Sequence, residues 1–382
     1  MPTRSYSWRR PKRRRSAATP PTPRKAWPLS WRNDRPASPA NNVPRRLLTD
    51  DEWEQFWRHG SVTTFERSGN PNYDGEIREF WERQFATLRE GARIVDLATG
   101  NGAVALLAAE YSATHDRQFR VDALDRAGIR PEKDLKEAKA AREWLKSVRF
   151  RGGAPNESTG LESGCADLVT SQYGFEYGDP SASAREAMRI LKPGGRIALI
   201  THHANSVVVR EAREGLEQHR LCLRREQLLT RARRVVDAMA SAESDFEKRM
   251  LKHDTRTENL RRKLNAAVAR VQQQAGQFSD PGNGIGFVLN GLQSVFAPGL
   301  QAAERRATIR RLRKASDAYC LRMEDLLAAT PDAGEFDRLL DHLRSAGLLV
   351  DGWFPLVYRG EALMGWALAG RKPRAEEAAA ME

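Results

Sequence analysis

Asp96, the turn Thr99-Gly100-Asn101-Gly102 and Asp125 have types and spacing that suit chemistry. A short apolar run ends in Asp96, the glycine turn follows, and an Ala/Leu-rich run continues to Glu110. This order reads as a strand, a tight turn and a helix start. Such a turn lets backbone approach a nucleotide-like ligand and aims helix N–H groups at it. A Cβ at Gly100 or Gly102 is expected to hold that ligand away. An acid at the end of the next strand, about 20 residues on, accepts hydrogen bonds from ribose hydroxyls. Asp125 closes the run FRVDALD at about that distance. A second group is Thr201-His202-His203, at the carboxyl edge of a later apolar run, where ligands bind in such sheets. Imidazole there has a pKa suited to a general base. A strand-end cap or loop hydrogen bond is an equal reading for His202 and the stronger one for His203.

The elements that must position these residues follow in order. Residues 94–203 read as strand, helix, strand, helix, strand, strand, helix, strand. The last helix stops at Lys192-Pro193-Gly194-Gly195 and an apolar strand starts at once. The segments DLATGNG at 96–102, ALD at 123–125, CADLVTSQYGFEY at 165–177 and RILKPGGRIALI at 189–200 carry a resemblance. Together they resemble the class I S-adenosylmethionine-dependent methyltransferases over about 110 residues. A dehydrogenase turn would more often read G-x-G-x-x-G. Ala105 fits a looser form of it, but the Lys-Pro-Gly-Gly and SQYGFEY segments decide against that fold.

The resemblance implies an α/β fold, a Rossmann-like seven-stranded sheet with a large helical insert between the fifth strand and the last helix. It implies S-adenosylmethionine as cofactor. Asp96 is then expected near the amino-acid end of the cofactor, and Ala98 stands where the family often has a glycine. Thr99, Gly100, Asn101 and Gly102 wrap the cofactor, Asp125 takes the ribose hydroxyls and Arg126 lies near the adenine. The usual acid after the third strand is replaced by Gly153, so Ala154 and Asn156 become the adenine-side candidates. Ser171, Gln172 and Tyr173 end the fourth strand, where cofactor and acceptor usually meet. His202, Glu176 and Tyr173 are the catalytic candidates, and Tyr177, like Glu176, is placed to orient an acceptor. A sulfonium cofactor brings its own leaving group, so the enzyme must hold the acceptor in line and, for a poor nucleophile, remove a proton. No metal is expected.

Charge divides along the chain. Residues 1–46 hold 13 Lys/Arg against Asp34 alone, +12; residues 207–330 hold 23 basic and 15 acidic residues, +8; the remainder is −7. The core is mildly acidic, so the basic character does not define the active site. Cys165, Cys222 and Cys320 match no metal spacing and read as small buried residues of a reduced, cytoplasmic protein. No apolar run is long enough to span a membrane, and nothing after the N-terminal arginines resembles a secretory signal.

Six segments follow. Residues 1–46 form a disordered basic Pro/Arg-rich tail, or the true start lies downstream near Val43. Its arginines and tryptophans also offer nucleic acid or anionic lipid a surface, a less favoured reading. Residues 47–92 are an N-terminal helical cap, with Ile77, Phe80, Trp81, Phe85 and Leu88 in a helical stripe and Trp57 and Tyr73 as pocket candidates. Residues 93–206 are the cofactor-binding α/β core. Residues 207–330 are a helical insert, a lid or an interface for a homo-oligomer, whose Gly-rich 282–299 stretch suits a lid tip or acceptor wall. Residues 331–370 complete the sheet with an antiparallel pair, and 371–382 are a frayed tail.

Absences narrow the acceptor. Base-amino methylation usually places Asn/Asp-Pro-Pro-aromatic where this chain has Ser171-Gln172-Tyr173-Gly174. The Pro-Cys pair of cytosine-C5 methylation is missing. A small-molecule acceptor, methylated at O, N or C under a helical lid, is therefore expected. The alternatives are a methyltransferase acting on RNA or protein through the basic insert and tail, and a catalytically silent cofactor-binding regulator.

Overall fold

The computed structural model describes residues 48–64, 72–135, 143–240 and 254–379; the basic tail expected over 1–46 lies outside them. The described residues fall in one compact unit. Its centre is a seven-stranded sheet in the order β3-β2-β1-β4-β5-β7-β6. The strands are β1 (Arg93–Leu97), β2 (Arg120–Leu124), β3 (Val148–Arg151), β4 (Ala166–Gln172), β5 (Leu191–Thr201), β6 (Leu349–Tyr358) and β7 (Ala362–Arg371). The first five are parallel, and β7 runs antiparallel between β5 and β6. The order reverses between β1 and β4, which opens a crevice at their carboxyl ends, the usual ligand site of such sheets.

Both sheet faces are covered, so the inner strands are apolar on both sides. Along β1, Ile94 joins one core cluster and Val95 and Leu97 the other. Helices α2 (Gly75–Ala86) and α3 (Ala103–Thr114) cover the first face. The stripe of Ile77, Phe80, Trp81 and Phe85 is the buried side of α2, so these aromatics are core packing. After α4 (Pro131–Asp134), the opposite face is covered by α5 (Pro180–Ile190) and α11 (Ala333–Ser345). Helix α5 ends at Ile190, two residues earlier than the Lys192 stop, because the Lys-Pro-Gly-Gly segment already belongs to β5. A register shift there is taken up by Gly194 at φ 76°.

The segment between β5 and α11 is helical: α6 (Val207–Arg220), α7 (Leu228–Ala240), α8 (Thr255–Ala275), α9 (Phe287–Val295) and the 28-residue α10 (Ala302–Ala329). It has its own core, in which Leu228, Val236, Leu264, Val288 and Leu312 are buried. Met239, at the end of that apolar pattern, is 37% exposed. Helix α10 joins the two bodies: Leu312 packs in the insert core and Leu326 in the sheet core. The short α1 (Asp50–Trp57) starts with a capping box between Thr49 and Glu52, and α12 (Ala375–Ala379) closes the described chain.

Candidate active site

Asp96 ends β1 with its carboxylate buried, accepting the Thr99 hydroxyl at 2.6 Å and the Thr170 hydroxyl at 2.7 Å. Burial pushes its pKa up to about 7, against the two hydroxyls, with the nearby Asp125 charge adding to the rise. Ala98 follows at φ 50°, a left-handed backbone that an L-residue adopts at a cost. Gly100 donates its N–H to Asp125 Oδ2 at 2.8 Å, and Ala127 N–H donates to Oδ1 at 2.9 Å. Burial lifts Asp125 to about 6, opposed by these two N–H groups.

The glycine turn also has a packing role beside the one expected toward a ligand. A Cβ on Gly100 would lie 2.3 Å from the Trp57 indole, and one on Gly102 2.6 Å from the Phe150 ring. Both glycines make room for aromatic rings brought from distant sequence. Asn101 is fully buried and donates its amide to the Trp57 and Ser61 carbonyls, each at 2.8 Å. It clamps the end of α1 over the turn.

One cavity of about 630 Å³ runs from this sheet edge to the inner side of the helical insert, within the usual range for small-molecule sites. Asp96, Ala98, Thr99 and Asp125 reach its wall, as do Arg126, Asn156 and Gln172. Arg126 is ion-paired to Asp50 of α1 at 2.6 Å. Asn156 donates to the Gly174 carbonyl at 3.2 Å. Gln172 accepts the Trp81 indole N–H at 2.6 Å and leaves its own amide nitrogen buried without a partner. Gly100, Asn101, Gly102, Ala154 and Ser171 do not form the cavity wall. Ala154 packs in the core beneath the sheet and donates its N–H to the Asp125 carbonyl at 2.9 Å.

The catalytic candidates separate in the same way. His202 lies on the wall, 2% exposed, stacked on Tyr173 with ring centroids 4.6 Å apart. Its Nε2 is 3.4 Å from the Tyr177 hydroxyl, and Nδ1 has no partner. Burial holds its pKa down to about 3, so the ring is neutral. Tyr173 also lines the cavity but donates its hydroxyl to the Met364 carbonyl at 3.2 Å. Glu176 stands behind the wall and accepts the His202 N–H at 2.8 Å. Burial raises it to about 7. Its contact positions the His202 backbone. Tyr73 reaches the wall with its phenol pKa strongly raised by burial, the Asp96 charge adding to the rise.

Sequence reasoning named the 282–299 stretch of the insert as an acceptor wall but overlooked the wall supplied by α10. Tyr319, Arg322, Met323 and Leu326 share one side of α10, and Asn283 and Phe287 come from the Gly-rich stretch and α9. The signal was helical spacing: positions 319, 322, 323 and 326 fall on one face. Among the described residues no group of three metal-ligating side chains is present, and no helix is long and apolar enough to cross a membrane.

The donor set suits a ligand with hydroxyls and amines. Asp125 uses one contact on each oxygen, and a carboxylate offers about four lone-pair sites. The orphan Gln172 amide adds a donor.

Residues 95–199 match the family described as Methyltransferase domain. Three solved structures are similar at low identity. The structure of geranyl diphosphate methyltransferase in complex with S-adenosylmethionine is 22% identical, with TM-score 0.27, over 33% of this chain and 48% of that one. The chain thus spans about half the length of that protein. A SAM-dependent methyltransferase from Aquifex aeolicus is 16% identical, with TM-score 0.29, over 41% and 75%. The cyclase SpnF is 15% identical, with TM-score 0.37, over 85% and 94%. No curated protein matches the chain.

Proposed function

From the match of residues 95–199 to the methyltransferase-domain family we propose that the chain is a class I S-adenosylmethionine-dependent methyltransferase that methylates a small molecule held beneath its helical insert. The observation that carries this reading is the continuity of the cavity. The same space touches Asp125 and Asn156 at the sheet edge and Phe287, Tyr319 and Met323 on the insert.

S-adenosylmethionine supplies an electrophilic methyl group carried on a sulfonium. Asp125 would hold the ribose hydroxyls, Asp96 and Gln172 the amino-acid end, and Asn156 and Arg126 the adenine side. Proximity is the chief contribution asked of the remaining wall. His202 is neutral and buried beside Tyr177. A ring nitrogen there accepts a hydrogen bond from an acceptor O–H or N–H and orients it toward the methyl group; with its pKa held down to about 3 the ring is too weak a base to carry the proton, contrary to the expectation of a general base. Glu176 fixes the His202 backbone, and Tyr173 supports the imidazole face. The insert and α1 exclude water from this junction, acting as lid and cap.

The insert's charges support a solvated lid rather than a nucleic-acid surface. Arg233 and Arg306 both pair with Asp237, and Arg270 pairs with Glu226. The test is methyl-labelled S-adenosylmethionine incubated with the full chain and a cell extract. Label is expected in a dialysable product that chromatography separates from the unreacted methyl donor. Label confined to RNA or protein would overturn the small-molecule reading.

A further inference from the structure

We infer that the acceptor half of the cavity recognises a cationic amine, docked on Asp325 in an aromatic corner formed by Trp53, Phe56 and Tyr177. The inference rests on the methyl-transfer reading for the other half of the cavity.

Asp325 lies on the cavity wall from α10 and is 3% exposed. Burial raises its pKa, against the nearby Leu48 N–H, Trp53 indole and Arg126 charge, and Oδ1 has no hydrogen-bond partner. Removing a carboxylate from water with lone pairs unused is costly unless something pairs with it. A protein core offers cheaper ways to fill that space, so the unpaired oxygen marks a ligand contact.

The surroundings select the ligand's charge. Trp53 meets Tyr177 edge-on at 5.7 Å and Phe56 edge-on at 6.0 Å, which leaves ring faces turned in different directions. Ring faces beside a carboxylate attract cations. One Phe56 face already holds the Arg322 guanidinium, 4.1 Å from its centroid, so the ligand's cation is left the Trp53 and Tyr177 rings. Arg126, the other cation on the wall, is paired with Asp50.

A second orphan atom points the same way. His219, on α6, keeps Nδ1 3.0 Å from the Gly215 carbonyl, so Nδ1 carries the hydrogen. Nε2 is buried without a partner and presents a lone pair. The ring stacks on Tyr319 at 4.6 Å and also lines the cavity. The two orphan polar atoms that the insert gives the wall, among the described residues, are thus both hydrogen-bond acceptors. An ammonium donates to such an atom, and a carboxylate is repelled by Asp325.

The experiment titrates 2-phenylethylamine, 2-phenylethanol and phenylacetate by calorimetry into the full chain saturated with S-adenosylhomocysteine, near neutral pH. The amine is expected to bind about tenfold or more tightly than either analogue. Asp325→Asn should abolish that preference and leave S-adenosylhomocysteine affinity unchanged. An amine that binds no better than the alcohol, or a preference that survives Asp325→Asn, overturns the inference. If Asp325→Asn does not fold, the ratio among the three probes on the unmodified chain decides alone. Failure of the unmodified chain to bind S-adenosylhomocysteine would strike the methyltransferase reading; cofactor-product binding without amine preference strikes only this one.

Discussion

Asp125 holds the glycine turn and offers its remaining lone pairs to the cavity. Removing its charge should therefore weaken the cofactor without abolishing the fold. Asp125→Ala is expected to cost about 1–3 kcal/mol of S-adenosylmethionine affinity by calorimetry, the range for a charge-assisted hydrogen bond. Because burial lifts this carboxyl to about 6, cofactor affinity should rise between about pH 5 and pH 7.5 as it ionises. That rise should flatten in Asp125→Asn. Stability follows its own sign. His202 has its folded pKa lowered to about 3, so below about pH 6.5 the unfolded chain takes up a proton that the folded chain refuses. Its contribution is lost as pH falls. Asp96, raised to about 7, acts oppositely: its contribution is full below about pH 4 and is lost as pH rises through 7. Urea midpoints near pH 5 and pH 7.5 should therefore show His202→Gln less acid-sensitive than the unmodified chain. An unchanged acid slope would mean that His202 is charged or exposed. At this scale, strand-end acids were legible because a β-strand fixes where its last residue points. Asn101 and the two glycines were not, because Trp57 and Phe150 come from elsewhere in the sequence.

Helix α1 is too short to persist alone, and its position comes from tertiary contacts. The Asn101 amide holds its end and Asp50 pairs with Arg126. Asn101→Ala should cost about 1–3 kcal/mol of stability through orphaned carbonyls, measured by urea unfolding. It should also speed cofactor release, measured by stopped flow. Unchanged stability would show that α1 is held elsewhere. Gly100→Ala combines φ 56° with a Cβ 2.3 Å from Trp57, so it should displace α1 and cost about 1–3 kcal/mol. The parallel elements were readable from apolar runs, turns and the Lys-Pro-Gly-Gly segment. Which face of α10 meets the cavity was not, because Leu312 and Leu326 on that helix serve two different cores.

The molecule as a whole joins a cofactor-binding sheet to a helical body with an independent core, and the cavity lies where they meet. The division of labour is expected to show in kinetics. Phe287→Ala on the insert should raise the acceptor KM and leave cofactor affinity unchanged, whereas Asp125→Ala should do the reverse. Parallel losses in both would mean that the insert shapes the cofactor half as well. The central claim is that the sheet edge binds S-adenosylmethionine, and calorimetric titration of the full chain with that cofactor tests it most directly, with NADH and NADPH as controls. Selective binding in the micromolar range, on the order of −8 kcal/mol, is the predicted result. A folded chain that binds no S-adenosylmethionine, or prefers a nicotinamide nucleotide, would contradict the account.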